Sequence, residues 1–171
     1  MAKVLVPLAD GCEELEAVTI IDLLRRAGIE VVSAGLKSGV VKASRGVQLV
    51  PDVTLDVALQ DDYDMVVLPG GMPGAAHLKD DVRILDLLKK MAAAGKYTAA
   101  ICAAPMVLAE AGVDLLMLET FGYLDELHQA ILAAGRFQAP LGSATAGFAS
   151  RAASARTKST TKSSTSSTSL L

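Results

Sequence analysis

KVLVPLADGCEELEAVTIIDLLRRAGIEVVSA, residues 3–34, is the stretch on which the fold turns. Lys3-Val-Leu-Val-Pro-Leu8 is short and continuously apolar, and Ala9-Asp10-Gly11 ends it, the pattern of a strand buried on both faces of a parallel sheet. From Glu13 to Ala27 the residues Ala17, Ile20, Ile21, Leu24 and Ala27 recur at helical spacing, and Gly28 closes the segment as a helix cap. Glu30-Val-Val-Ser-Ala34 is a second buried strand. Strand, helix and strand in that order form a right-handed parallel crossover.

The same alternation continues outward from this unit. Val40–Lys42 and Val47–Val50, joined by Ala43-Ser44-Arg45-Gly46, read as a hairpin. Asp64-Met-Val-Val-Leu68 is another apolar strand, followed by the glycine-rich turn Pro69–Gly74. A helix is predicted at about 81–94, a strand at Tyr97–Ile101, and a helix from about Ala104 to Glu110 that stops at Gly112. The fold class is therefore α/β, a doubly wound parallel sheet in an α/β/α sandwich. Leu115–Ala134 is helix-compatible but supplies no strand for such a sheet, so the C-terminal part is atypical or incomplete. The expected organisation is one domain over 1–135 and a basic tail over 136–171.

Composition sets limits on what the chain can do. With 171 residues it has room for one ordinary domain, and with no Trp, three Tyr and three Phe its core must be aliphatic. All 19 acidic residues and 11 of the 16 basic ones lie in 1–135, a net −8, whereas 136–171 carry five bases and no acid. An acidic folded part argues against nucleic acid as the main partner, because phosphates require a basic face. Of the last 15 residues 11 are Ser or Thr, too little apolar surface to offset ordering entropy, so the tail reads as disordered. No apolar run approaches the roughly 20 residues that span a bilayer, and two distant cysteines without a signal-peptide pattern suit a reduced, cytoplasmic setting.

Ligands of open α/β sheets gather beyond the carboxyl ends of the strands, where Ala9–Glu16, Pro69–Gly74 and Ile101–Pro105 should converge. Cys102 follows a strand and precedes a helix, a turn where free backbone N–H groups and the helix dipole favour a thiolate. The ordinary alternative is a small buried hydrophobe. Glu16 lies at the edge of the apolar stripe, where a desolvated carboxyl could hold a proton for a nearby thiolate; otherwise it is a solvated first-turn acid. Glu13 stands three residues after Asp10, the spacing of a capping box.

Gly70 and Gly71 can bring bare N–H groups to a reacting oxygen, or simply make a turn. His77, beside that loop, could approach the site, though an exposed histidine at a helix start is the plainer reading. Arg45 could offer a bidentate anion contact or be merely solvated. The two histidines, His77 and His128, are too few and wrongly spaced for a His-rich metal site, so no metal is expected. Cys12 lies on the same edge and reads as an unpaired loop thiol, with a regulatory disulfide to Cys102 as the alternative.

Gly11-Cys-Glu-Glu-Leu-Glu-Ala17, Ser44-Arg-Gly46, Tyr63-Asp-Met-Val-Val-Leu-Pro-Gly-Gly71 and Ala99-Ala-Ile-Cys-Ala-Ala-Pro105 follow one another as they do in a known family. Over residues 1–112 the chain resembles the ThiJ/PfpI superfamily, specifically the branch of the parkinsonism-associated deglycase and its YajL-like bacterial relatives. The resemblance implies a flavodoxin-like fold, Cys102 as an oxidation-sensitive nucleophile and Glu16 as the acid that holds it. It further implies an oxyanion site at Gly70, Gly71 and Ala103, a pocket lined by Arg45, and a homodimer.

The activity implied is that of a cofactor-independent glyoxalase or protein deglycase acting on small reactive carbonyls or glycated proteins. The alternatives are a redox-sensing chaperone, a PfpI-like protease, and a chain left inactive by its altered ending. Ala103 stands where the protease-like branch has His, which disfavours proteolysis. Phe121-Gly-Tyr-Leu-Asp-Glu-Leu127 is only faintly similar to a stretch of relatives, and His128 has no assigned family role.

Overall fold

The computed structural model describes residues 1–112, 116–119 and 141–144. They belong to two compact units, Met1–Asp114 and Leu115–Leu171. In the first, β1 (Lys3–Leu8), α1 (Glu14–Arg26) and β2 (Glu30–Gly35) form the opening crossover. A two-stranded ribbon follows, β3 (Val41–Lys42) with β4 (Gln48–Leu49), then β5 (Val53–Thr54) and the short α2 (Leu55–Ala58). β6 (Met65–Leu68), α3 (Gly74–Asp80), α4 (Val82–Ala93), β7 (Tyr97–Ala100) and α5 (Pro105–Ala111) complete it.

The sheet has the order β5-β2-β1-β6-β7 and every pair in it is parallel. Lys3 to Leu8 run beside Glu30 to Gly35, and Met65 to Leu68 beside Tyr97 to Ala100. Because successive side chains on a strand point to opposite faces, the apolar residues divide between two layers. Val4, Val6 and Leu8, with Val67, pack towards Ala17, Ile20, Ile21 and Leu24 of α1. Leu5, Val66 and Leu68 pack towards Leu78 of α3, Ile84 and Leu88 of α4, and Val107 of α5. That division makes the α/β/α sandwich.

Helix α1 ends in a Schellman closure: Gly28 takes φ +76°, its N–H donates to the Arg25 carbonyl, and the Ile29 N–H donates to that of Leu24. The short elements β5, α2 and α3 add to the predicted set, since two- to seven-residue elements carry too few residues for a period to register.

Two expectations for the second unit are corrected. Within the helix-compatible stretch Leu115–Ala134, Leu116–Glu119 form a strand, β8. Within the expected tail, Leu141–Ala144 form β9, parallel to β8 with Leu116 beside Leu141 and Glu119 beside Ala144. A four-residue apolar run does not distinguish helix from strand by period, and the pairing that decides it joins residues 25 apart in the register. The first compact unit ends at Asp114. The remaining residues of the tail, together with Phe121–Leu127 and His128, lie outside the described residues.

Candidate active site

Cys102 sits on the turn between β7 and α5. Its φ of +56° makes it the one non-glycine residue with positive φ among the described residues. An L-residue there costs on the order of 1–3 kcal/mol and persists only where the surroundings over-determine it. Here the flanks do so: the Ile101 N–H donates to the Leu68 carbonyl at 3.2 Å and the Ala104 N–H to the Ile101 carbonyl at 2.9 Å. Cys102 is exposed and free.

Against this turn lies Gly70. A Cβ on Gly70 would come 2.7 Å from the Cys102 Cβ and 2.8 Å from the Ala103 nitrogen, so only a bare α-carbon lets the two strand ends approach. The Gly70 N–H donates to Glu16 Oε2 at 2.8 Å, which brings the first turn of α1 to the same point. Glu16 and Cys102, from opposite ends of the first unit, thus converge on one residue.

The Gly70 N–H, expected to face a reacting oxygen, donates to Glu16. Neither the Gly71 nor the Ala103 N–H donates to another described residue. The loop around Gly71 is held by backbone. The Glu13 N–H donates to the Gly70 carbonyl at 2.9 Å, and Gly71 and Gly74 lie directly on the backbone of Cys12. The Met72–Pro73 peptide is cis.

Glu13 and Asp10 do not form the capping box. Glu13 is itself the N-cap and makes no side-chain cap bond, while Asp10 Oδ1 accepts from the Lys42 N–H at 2.9 Å. Ser44 Oγ lies 2.7 Å from Glu13 Oε2 and 2.9 Å from Glu14 Oε2, and the Arg45 N–H donates to Glu14 Oε1 at 2.9 Å. A hydroxyl has one proton, so one of the two carboxylates takes the Ser44 bond at a time. Hydrogen bonds from Ser44 and Arg45, working against burial, hold the Glu14 carboxyl below its ordinary range. Ser44 is the positioning residue that spacing did not single out: it ties the ribbon to the start of α1 and hence to Glu16.

Arg45 is brought to Glu14 by its backbone, and its guanidinium makes no hydrogen bond among the described residues. His77 places Nδ1 2.8 Å from the Asp10 carbonyl and lines a separate cavity that includes neither Cys102 nor Glu16. Cys12 is buried and unpaired, and burial pushes its thiol up to about 11. The two cysteines are therefore chemically distinct. Among the described residues no group of three His, Cys, Asp or Glu is arranged to hold a metal ion, and no helix is long and apolar enough to cross a membrane.

A family model described as the DJ-1/PfpI family matches residues 2–116. Protein dj-1beta of Drosophila melanogaster is 49% identical over 110 residues, 64% of this chain and 59% of that protein. A Caenorhabditis elegans protein named glutathione-independent glyoxalase DJR-1.2 is 38% identical over 112 residues, 66% of this chain and 59% of that one. The crystal structure of Drosophila DJ-1beta superposes with a TM-score of 0.70 at 36% identity, covering 85% of this chain and 75% of that one. The chain thus spans about three fifths of the length of these two curated relatives.

Proposed function

The chain belongs to the DJ-1/PfpI family, and from that premise we propose that it is a cofactor-independent cysteine enzyme acting on small reactive carbonyls, with methylglyoxal converted to lactate as its defining reaction. The observation that carries this reading is that Cys102 and Glu16 each lie against Gly70, the one by close packing and the other by a hydrogen bond. The named glyoxalase among the relatives supports it.

In this reading the Cys102 thiolate adds to the aldehyde carbon, and the oxyanion formed takes the proton held on Glu16 to give a hemithioacetal, leaving Glu16 as a carboxylate. The N–H groups of Gly71 and Ala103 stabilise that oxyanion as it develops. Glu16 accepts the proton from the former aldehyde carbon and returns it to the neighbouring carbon, which makes a thioester of lactate. Water then cleaves the thioester, releasing lactate and restoring the thiol. No electrons leave the molecule, so no oxidant or reductant is needed. Glycated proteins are larger substrates of the same carbonyl chemistry.

The test is lactate formation from methylglyoxal by the purified full chain. Cys102→Ser and Glu16→Ala are each expected to lower turnover by at least about 10²-fold. Turnover unaffected by either substitution would remove this mechanism.

A second reading is favoured by the contrast between an exposed Cys102 and a buried Cys12. Cys102 would then be a redox sensor whose thiolate is oxidised stepwise by peroxide to the sulfinic acid. Peroxide-dependent protection of a client protein from aggregation, with no carbonyl turnover, would select this reading over the first.

A further inference from the structure

A cavity of about 330 Å3 opens beyond the carboxyl ends of β1 and β2, and its lining includes neither Cys102 nor Glu16. That volume lies at the small end of the range for small-molecule sites, roughly 300–1,000 Å3. Leu8, Leu36, Val40 and Val41 provide an apolar wall. Most of the charged lining is already committed. Arg83 donates to Asp81, to Asp56 and to the Leu36 carbonyl. Asp81 accepts the Arg83 N–H, Asp80 pairs with Lys79 at 3.6 Å, and Asp10 accepts the Lys42 N–H.

Three lining side chains keep a polar group without a hydrogen bond or ion pair among the described residues: Lys37, Ser38 and His77, the last at Nε2. The Nδ1 of His77 lies 2.8 Å from the Asp10 carbonyl oxygen, which can only accept. Nδ1 therefore carries the proton, and in the neutral ring Nε2 presents a lone pair. The site thus offers one cationic donor, one hydroxyl, one acceptor nitrogen and an apolar wall, with Asp10, Asp80 and Asp81 also on its lining. A hydroxycarboxylate can meet both Lys37 and that nitrogen, the carboxylate taking the ammonium and the hydroxyl donating to the ring.

We propose that this cavity is a second ligand site, separate from Cys102, for a short hydroxycarboxylic acid whose carboxylate pairs with Lys37 and whose hydroxyl donates to His77 Nε2. The carbon chain lies on Val40 and Val41. The site does not depend on the carbonyl chemistry at Cys102, and either can fail without the other.

The chain contains only two histidines, so their ring resonances can be followed by NMR in the full-length protein, with His77 assigned through His77→Gln. At constant ionic strength, sodium L-lactate is expected to shift the His77 resonance saturably. Propionate, which lacks the hydroxyl, should bind about fivefold more weakly, the worth of one net hydrogen bond. Lys37→Met should weaken the lactate response by a similar factor, while Cys102→Ser should leave it unchanged. Absence of a saturable shift, equal binding of propionate or inorganic phosphate, or loss of the response in Cys102→Ser would each overturn the assignment.

Discussion

At Gly70 the addition of a single methyl group would reach within 2.8 Å of both Cys102 and Ala103, and its neighbours on the Cys102 side include backbone that cannot swing away. Gly70→Ala is therefore expected to displace the nucleophile relative to Glu16. A misplacement of about 1 Å can cost on the order of 10²-fold in rate, whereas the local strain should cost only about 1–3 kcal/mol of stability. Methylglyoxal turnover and urea denaturation of the same variant separate the two effects; equal activity would mean that the close approach is not needed for chemistry. The two thiols offer a second check. Burial keeps Cys12 protonated at pH 8, since its thiol is pushed up to about 11, and the exposed Cys102 is open to reagent. Iodoacetamide should alkylate Cys102 in the native protein and Cys12 only after denaturation, as read by peptide mass spectrometry. Rapid native alkylation of Cys12 would contradict its burial. The candidate chemistry of Cys102 and Glu16 was legible because each residue type stands at a strand end or first helical turn; the occupied Gly70 N–H was not, because its partner lies 54 residues away.

Helix α4 shows what a cap and an ion pair add at the scale of an element. Asp81 is its N-cap and accepts the Arg83 N–H at 3.0 Å, while the Arg83 guanidinium reaches both Asp81 carboxylate oxygens. The Arg83 side chain beside it holds the Asp81 carboxyl below its ordinary range. A carboxyl whose folded-state value lies below the unfolded one, about 3.9, contributes fully above about pH 5. The contribution is lost as pH falls through the depressed folded value. Asn can still cap a helix, so Asp81→Asn isolates the charge. It is expected to lower stability by about 1–2 kcal/mol at pH 7, with the gap to the parent narrowing below about pH 4. Denaturant unfolding across that pH range measures it, and a gap independent of pH would exclude the ion pair as its source. α1, α4 and the strands β1, β2, β6 and β7 were legible from their periods and closing glycines. The Asp10–Glu13 capping box was not realised, because the ribbon supplies competing partners, Lys42 and Ser44, from more than 30 residues away.

For the molecule as a whole, the homodimer implied by the resemblance remains a proposal, and the first unit supplies a surface for it. Leu15 is 73%, Val18 50% and Val50 79% exposed, and Val18 and Val50 line one cavity between α1 and the ribbon. Exposed apolar side chains clustered in this way mark association surfaces. The full chain is expected to sediment as a dimer, and Val18→Asp with Val50→Asp to sediment as a monomer; a monomeric parent would exclude the proposal. The sheet itself ends on β7, which pairs with β6 alone among the described residues and leaves Tyr97 74% exposed.

The sequence by itself determined the parallel sandwich and the candidate nucleophile and acid. Continuous apolar runs, a 3.6-residue period and glycine stops are local signals that act within a dozen residues. Only the tertiary structure decided that Glu16 is bound to Gly70, that Ser44 bridges to Glu13 and Glu14, that His77 lines a cavity apart from Cys102, and that Leu116–Glu119 pair with Leu141–Ala144. Each of those outcomes is a choice among distant hydrogen-bonding partners. Such choices are made by packing, which brings together groups that no local pattern relates.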